Sequence, residues 1–213
     1  MQAIKNAEDH DLFLILLHLE IVYTTHKMRK ILRRKFFDRD VVEVARDLVG
    51  AFLLCKIGEH TVVAEIVETE AYDGERDLAC HASKGKTART EVLYGEPGRF
   101  YVYLCYGMYY LLNVVAREKG YPAGVLIRGI ILQDGTHING PGKITKFLKI
   151  DRTFHNKTAS PKTGLWFEKR DTKILAGSIS KSARVGVDYA GAVWSKKKYR
   201  FFLKKRLILQ REG

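Results

Sequence analysis

Glu68, Glu70 and Tyr72 alternate along Val67-Glu68-Thr69-Glu70-Ala71-Tyr72, so on a β-strand they share one face. Carboxylates at that spacing sit roughly 6.6 Å apart, a separation suited to hydrolysing a bond at a sugar's anomeric carbon. The plain alternative for such a pair is a strand end that reaches solvent. Upstream, Val62, Ala64 and Ile66 fall on the same face, which is therefore expected to run from core into cleft. Arg128 lies inside the apolar run Val125-Leu126-Ile127-Arg128, where an unpaired guanidinium is costly. It needs an anion, either a glutamate or a phosphate.

A second constellation is aromatic. Phe100 to Asn113 holds Tyr101, Tyr103, Tyr106, Tyr109 and Tyr110, five of the chain's 11 tyrosines. Alternating aromatic and aliphatic residues around Gly107 predict a β-hairpin with rings on its arms and at its tip. Rings with a polar handle suit a surface that stacks on something flat. The chain carries 37 Lys+Arg against 24 Asp+Glu, a formal charge of +13. That balance favours a nucleic acid first and an anionic membrane surface second.

Other classes are disfavoured. Cys55, Cys80 and Cys105 are an odd set with no close pair, so neither a disulfide framework nor a cysteine zinc site is indicated. The seven histidines are scattered without metal-ligand spacing, and no metal or other cofactor is expected. Asn139-Gly140-Pro141-Gly142-Lys143 lacks the spacing of a nucleotide phosphate loop. It reads as a turn before a helix, suited to one backbone phosphate at Lys143. Leu12 to Tyr23 is too short to span a bilayer and follows acidic residues, so neither membrane insertion nor secretion is expected. Residues 1–27 are read as an extension of uncertain role and 28–213 as one domain.

The elements that must position these residues follow from pattern. Asp40, with Glu43 three residues on, opens a helix carrying Val41, Val44, Ala45, Leu48 and Val49, and Gly50 closes it. Ala51–Ile57 and Thr61–Tyr72 predict strands around Gly58-Glu59-His60, followed by a polar loop over 73–98. Arg99–Tyr106, Met108–Ala116 and Gly124–Ile131 are further strands, Lys143–Leu148 a short helix, and Val193–Gln210 a final basic hairpin. If the turn centres on Gly107-Met108, Asn113 falls nearly opposite Tyr103. Hairpins with few helices predict an α+β domain on a mainly antiparallel sheet, not a doubly wound nucleotide fold.

In order along the chain, Ile66 to Tyr72, His81, Arg89-Thr90-Glu91, Tyr101 to Val115, Val125 to Arg128 and Asn139 to Lys143 resemble the alkyladenine (3-methyladenine) DNA glycosylase family. Arg184-Val185-Gly186-Val187 and Tyr199-Arg200-Phe201-Phe202 match its carboxy-terminal pattern more weakly. The resemblance implies a curved sheet with a protruding hairpin and flanking helices. It also implies excision of alkylated or deaminated purines from double-stranded DNA by a monomer, after the nucleotide is flipped from the helix.

By the same resemblance, Glu70 would activate water and Arg128 would help hold the carboxylate. Tyr72, His81 and Tyr103 would wall the base pocket, and Asn113 would exclude the 2-amino group of guanine. Tyr106 would wedge into the gap, and Arg89 and Lys143 would meet the DNA backbone. Water as nucleophile implies no strand cleavage, which would need an amine on the sugar. The expected compartment is the cytoplasm of a prokaryote or the nucleus of a eukaryote. The family's longer segment between the positions of Arg128 and Asn139 is here the short Gly129–Ile138, which bears on the DNA-facing rim.

Two alternatives come from other classes. A glycan hydrolase would use Glu68 and Glu70 as its pair, but positive charge and only two tryptophans weigh against it. A non-catalytic or degenerate nucleic-acid-binding relative would bind DNA in a salt-dependent way and release no base.

Overall fold

The computed structural model describes residues 29–170, 174 and 177–204. The expected extension over 1–27, and residues 205–210 of the expected last hairpin, lie outside them. After a short α1 (Arg34–Phe37), Asp40 caps α2 (Val41–Leu48). Its Oδ1 accepts from the amides of Val42 and Glu43 at 2.9 and 3.2 Å, satisfying two donors that a helix start otherwise leaves open. Val41, Val44, Ala45 and Leu48 form the buried stripe of α2, and Gly50 leaves it with φ +82°.

β1 (Phe52–Ile57) and β2 (His60–Asp73) follow, joined by the two-residue turn Gly58-Glu59. β3 (Phe100–Cys105), β4 (Tyr109–Val115) and β5 (Ala123–Leu132) come next, then β6 (His137–Asn139) and α3 (Pro141–Phe147). β7 (Leu165–Glu168), β8 (Ile179–Ser182), α4 (Gly191–Trp194) and β9 (Arg200–Leu203) complete the described chain. The nine strands make one sheet in the order β3-β4-β5-β2-β1-β7, with β6 on β5 and β8-β9 on β2. Every described pairing is antiparallel, which is the expected α+β architecture.

β2 and β5 form the spine. One face of the sheet packs on α2 and α3 through Ile66, Val67, Phe100, Val102, Leu112, Val114, Val125, Ile127 and Ile130. The other face carries a smaller cluster of Cys80, Ala82, Val92, Leu93, Tyr101 and Val115, with Tyr72, Tyr94 and Tyr103 against it. The loop over 73–98 covers that second face and contains two 3₁₀ turns, His81–Lys84 and Glu91–Tyr94.

A defect in the spine sets which side chains go where. The β2–β5 register runs Ile66 to Ile130, Glu68 to Gly129 and Thr69 to Ile127, passing over Val67 and Arg128. Ile66 and Val67 both join the helix-side core, so the two-residue alternation changes phase there. Below the defect Val62, Ala64 and Ile66 face the helices; beyond it Thr69 and Ala71 do, Thr69 Oγ1 donating to the Ala45 carbonyl at 2.7 Å. Glu68, Glu70 and Tyr72 do share a face, but it is the opposite one from Val62, Ala64 and Ile66. The expected continuous face from core to cleft is corrected accordingly.

Other expectations are corrected too. Residues 193–203 do not form a hairpin. β9 pairs with the distant β8 and with β2, and Val193 and Trp194 belong to α4. Asn113 stands opposite Tyr101 and Leu111 opposite Tyr103, because Cys105 pairs with Tyr109 and the turn centres on Gly107. The helix expected over Lys143–Leu148 is α3 and begins at Pro141, whose missing amide costs nothing at a helix start. The short Gly129–Ile138 segment is a hairpin, Gly129 pairing with Asn139. Among the described residues no helix is long and apolar enough to cross a membrane, and no group of three His, Cys, Asp or Glu could hold a metal.

Gly129 is where the defect leaves least room. A Cβ there would lie 2.9 Å from Glu68 Cβ and 3.2 Å from Val67 Cγ2. Gly129→Ala is expected to destabilise by about 1–3 kcal/mol through overpacking. A thermal melt reads this as a fall of several degrees, since ~1 kcal/mol moves Tm by about 2–4 °C at this size.

Candidate active site

Glu70 is wholly inaccessible, yet it is an acid on the sheet face that carries the tyrosines. Its carboxylate is held from three directions. The Tyr72 hydroxyl donates to Oε2 at 2.9 Å, the Val185 amide donates to Oε1 at 2.8 Å, and Arg128 Nε lies 3.4 Å from Oε1. Burial raises the Glu70 pKa above the ordinary carboxylate range; Arg128, the Val185 amide and the Tyr72 hydroxyl counter this in that order, while the Glu68 charge adds to it. Burial raises the Tyr72 pKa well above that of a free tyrosine, with the Glu70 charge adding to it, so Tyr72 remains a donor.

Beyond Tyr72 the face becomes a ring of aromatic walls. His81 meets Tyr103 edge to face with centroids 4.5 Å apart, and Tyr101 lies 5.2 Å from Tyr103. His81 Nδ1 and the Tyr101 hydroxyl share a 2.8 Å hydrogen bond. Burial raises the Tyr101 pKa, and Arg89 beside it counters the rise. Burial, with Arg89 nearby, lowers the His81 pKa to about 4, so the ring is neutral at physiological pH. Asn113 is buried beside Tyr101 and spends its Nδ2 on the Tyr101 carbonyl at 3.2 Å, leaving its amide oxygen as an acceptor.

The remaining expected residues are distributed around this centre. Arg89 lies over the Tyr103 ring at 5.2 Å, part of the wall as well as exposed. Tyr106 is 90% exposed at the tip of the hairpin. It and Gly107 both have positive φ (48° and 70°), and the Met108 amide closes the turn on the Cys105 carbonyl at 3.1 Å. Lys143 is exposed in the first turn of α3, which backs the hairpin: a Cβ on Gly142 would lie 2.8 Å from Tyr109 Cβ. Glu70, Arg128, Tyr72, His81, Tyr103 and Asn113 share the face, whereas Tyr106 and Lys143 sit outside it with the hairpin.

Several participants escaped the sequence reading. Arg184 is buried and grips Asp77 with two nitrogens, Nη2 reaching Oδ1 at 2.8 Å, and its Nη1 also donates to the Ala71 carbonyl at 2.9 Å. This pair fixes the backbone that aims the next amide, Val185, at Glu70. Arg200 Nε bonds Glu68 Oε1 at 2.6 Å. Leu78, Val185 and Tyr189 are exposed, Tyr189 being tied by its hydroxyl to the Ala79 carbonyl at 3.2 Å. Beside them is a cavity of about 360 Å³ lined by Leu78, His81, Lys84, Thr87, Arg89 and Tyr189. A backbone amide has no sequence signature; Arg184 and Arg200 were visible only as members of weakly matching patterns.

A family model described as methylpurine-DNA glycosylase (MPG) matches residues 35–207. Curated relatives given the name 3-methyladenine DNA glycosylase include one from Myxococcus xanthus (strain DK1622), 42% identical over 177 residues, covering 81% of this chain and 90% of the relative. Another from Methanocella arvoryzae is 43% identical over 178 residues, covering 76% of this chain and 86% of the relative. A third from Borrelia garinii subsp. bavariensis is 43% identical over 185 residues, with coverages of 84% and 98%.

Two outcomes follow from the buried charges. Asp77→Asn leaves Arg184 buried without its counter-charge and is expected to cost about 3–5 kcal/mol in urea denaturation. Glu70 acts in the opposite sense. Its folded pKa is raised, so stability is lost as pH rises from the ordinary carboxylate range through the folded value. Glu70→Gln removes that penalty and is expected to melt no lower than wild type at pH 7, and a few degrees higher if its amide keeps the Val185 bond.

Proposed function

Because the chain belongs to the methylpurine-DNA glycosylase family, we propose that Glu70 is the general base that hydrolyses the bond between a damaged purine and its deoxyribose. The activity itself is that of a DNA-3-methyladenine glycosylase, a hydrolase of N-glycosyl bonds acting in base-excision repair. This favours the enzyme over the degenerate binding relative and over a glycan hydrolase. The single observation supporting the role of Glu70 is a fully buried carboxylate on the aromatic face of the sheet, held by the Tyr72 hydroxyl, the Val185 amide and Arg128.

In the proposed step the ionised Glu70 takes a proton from a water molecule that enters with the substrate. The water oxygen bonds to C1′ as the bond to the purine nitrogen breaks, and the base leaves with the electron pair. Positive charge developing on the sugar is stabilised by the fixed carboxylate, an interaction stronger in the transition state than before it. Arg128 steadies Glu70, and Tyr72, His81 and Tyr103 stack around the flipped base, favouring electron-poor alkylated purines. The buried Asn113 amide crowds the place of a 2-amino group, which disfavours normal guanine.

Outside the pocket, Tyr106 enters the duplex at the flipped position. Its neighbours Leu104, Met108 and Tyr109 add apolar area on that lip, and Leu78 and Tyr189 add it on the other. Arg89 and Lys143 meet backbone phosphates. We infer that double-stranded DNA with damaged purines is the substrate and that one chain acts alone, in whichever compartment holds the genome.

The test is single-turnover release of 3-methyladenine and hypoxanthine from duplex DNA. Wild type is expected to release base, while Glu70→Gln binds the duplex within a few-fold of wild type and releases base at least ~10²-fold more slowly. The DNA strand should stay intact until alkali is added. Near-normal turnover by Glu70→Gln would remove Glu70 from the role of base.

A further inference from the structure

Arg128 is shared unequally between two glutamates. Its Nε donates to Glu68 Oε1 at 2.9 Å but lies 3.4 Å from Glu70 Oε1. Arg200 is directly opposite Glu70 in the β2–β9 register, yet its Nε bonds Glu68 Oε1 diagonally at 2.6 Å. The Arg200 guanidinium lies 5.0 Å from the Phe202 ring centroid, and Phe202 is itself the cross-strand neighbour of Glu68. Both guanidiniums thus converge on Glu68, the carboxylate that retains some exposure, and the buried Glu70 receives only the longer contact.

The backbone is shaped for this division. The register passes over Val67 and Arg128, bringing Glu68 against Gly129, the one residue type with no Cβ to collide there. We propose that Glu68, held by Arg200, is a positioning residue that withholds Arg128 from full pairing with Glu70 and so keeps Glu70 basic enough to take a proton. The proposal rests on the reading of Glu70 as the base. A carboxylate gripped by both guanidiniums would be a strong ion-pair partner and a poor proton acceptor. A carboxylate with neither would be hard to ionise in its buried setting.

Charged and titratable groups face Glu70 from every neighbouring element. Glu68 and Tyr72 lie on its own strand, Arg128 on β5, Arg200 on β9, and Arg184 with its partner Asp77 beyond the Val185 amide. Glu68 alone among them has both close guanidinium bonds and no bond to Glu70. Its removal is expected to let Arg128 close on Glu70.

The experiment is the pH dependence of single-turnover base release for wild type, Glu68→Gln, Arg200→Gln and Glu70→Gln, with a thermal melt of each. For Glu68→Gln the acid limb of the profile is expected at lower pH than wild type, with the plateau rate down roughly tenfold. For Arg200→Gln it is expected at higher pH, because Glu68 then draws Arg128 further from Glu70. A general loss of structure would lower the rate without moving the limbs in opposite directions. If Glu68→Gln fails to fold, the Arg200→Gln limb decides alone. Unmoved limbs in folded variants, or a Glu68→Gln limb displaced to higher pH, would overturn the proposal while leaving Glu70 as base. Turnover surviving in Glu70→Gln would instead overturn the reading beneath it.

Discussion

The change of phase in β2, at the point where its register with β5 passes over Val67 and Arg128, is the constraint on which the site depends. A regular strand would keep Glu68, Glu70 and Tyr72 on the face of Val62, Ala64 and Ile66, against α2 and the core. The irregularity sends them to the face where Tyr101, Tyr103 and Asn113 already point, and it swings Arg128 among them. One extra residue on each strand thus turns the end of a packed strand toward the aromatic face. Bulges next to active sites commonly redirect a side chain in this way.

Once turned outward, Glu70 is still covered, because the loop over 73–98 and the segment around Val185 close over that face. The cover costs Glu70 its water, and fixed donors replace it: an amide, a phenol and a guanidinium. These donors need support in turn. Arg184 and Asp77, both without exposed side-chain surface, hold the amide in place, and Glu68 with Arg200 holds the guanidinium. Much of the stability invested around this end of the sheet maintains a carboxylate that the fold alone would be better without, a familiar tension between stability and activity.

What was legible in the sequence was local. The cap at Asp40, the turn at Gly58-Glu59, the aromatic hairpin with Tyr106 at its tip and the Glu-x-Glu-x-Tyr face each depend on residues a few positions apart. Tyr72, His81, Tyr103 and Asn113 could be named from an ordered set of short motifs, but their geometry could not. Asn113 fell opposite Tyr101 because a shift of one residue in the turn moves every cross-strand partner. The phase change at Val67 was hidden because an apolar residue fits the core whichever way the strand counts. The pairing of β9 with β8 was hidden because the 17 intervening residues, 183–199, carry no sign of their partner. The role of Val185 lies in its amide, which every residue but proline possesses.

The separations along the chain have a consequence for when the enzyme becomes one. Glu70 receives its amide from a residue 115 positions later, and Glu68 receives Arg200 from 132 positions later. The hairpins β1–β2 and β3–β4 are local and can form early, whereas contacts between distant residues close slowly because the loop entropy must be lost first. During folding the local hairpins can therefore precede the contacts that hold Glu70. Until the Arg184 segment docks, Glu70 lacks the Val185 amide, and until β9 docks, Glu68 lacks Arg200. The surroundings of Glu70 thus mark completion of the fold, since they are assembled only when segments 115 positions apart have met.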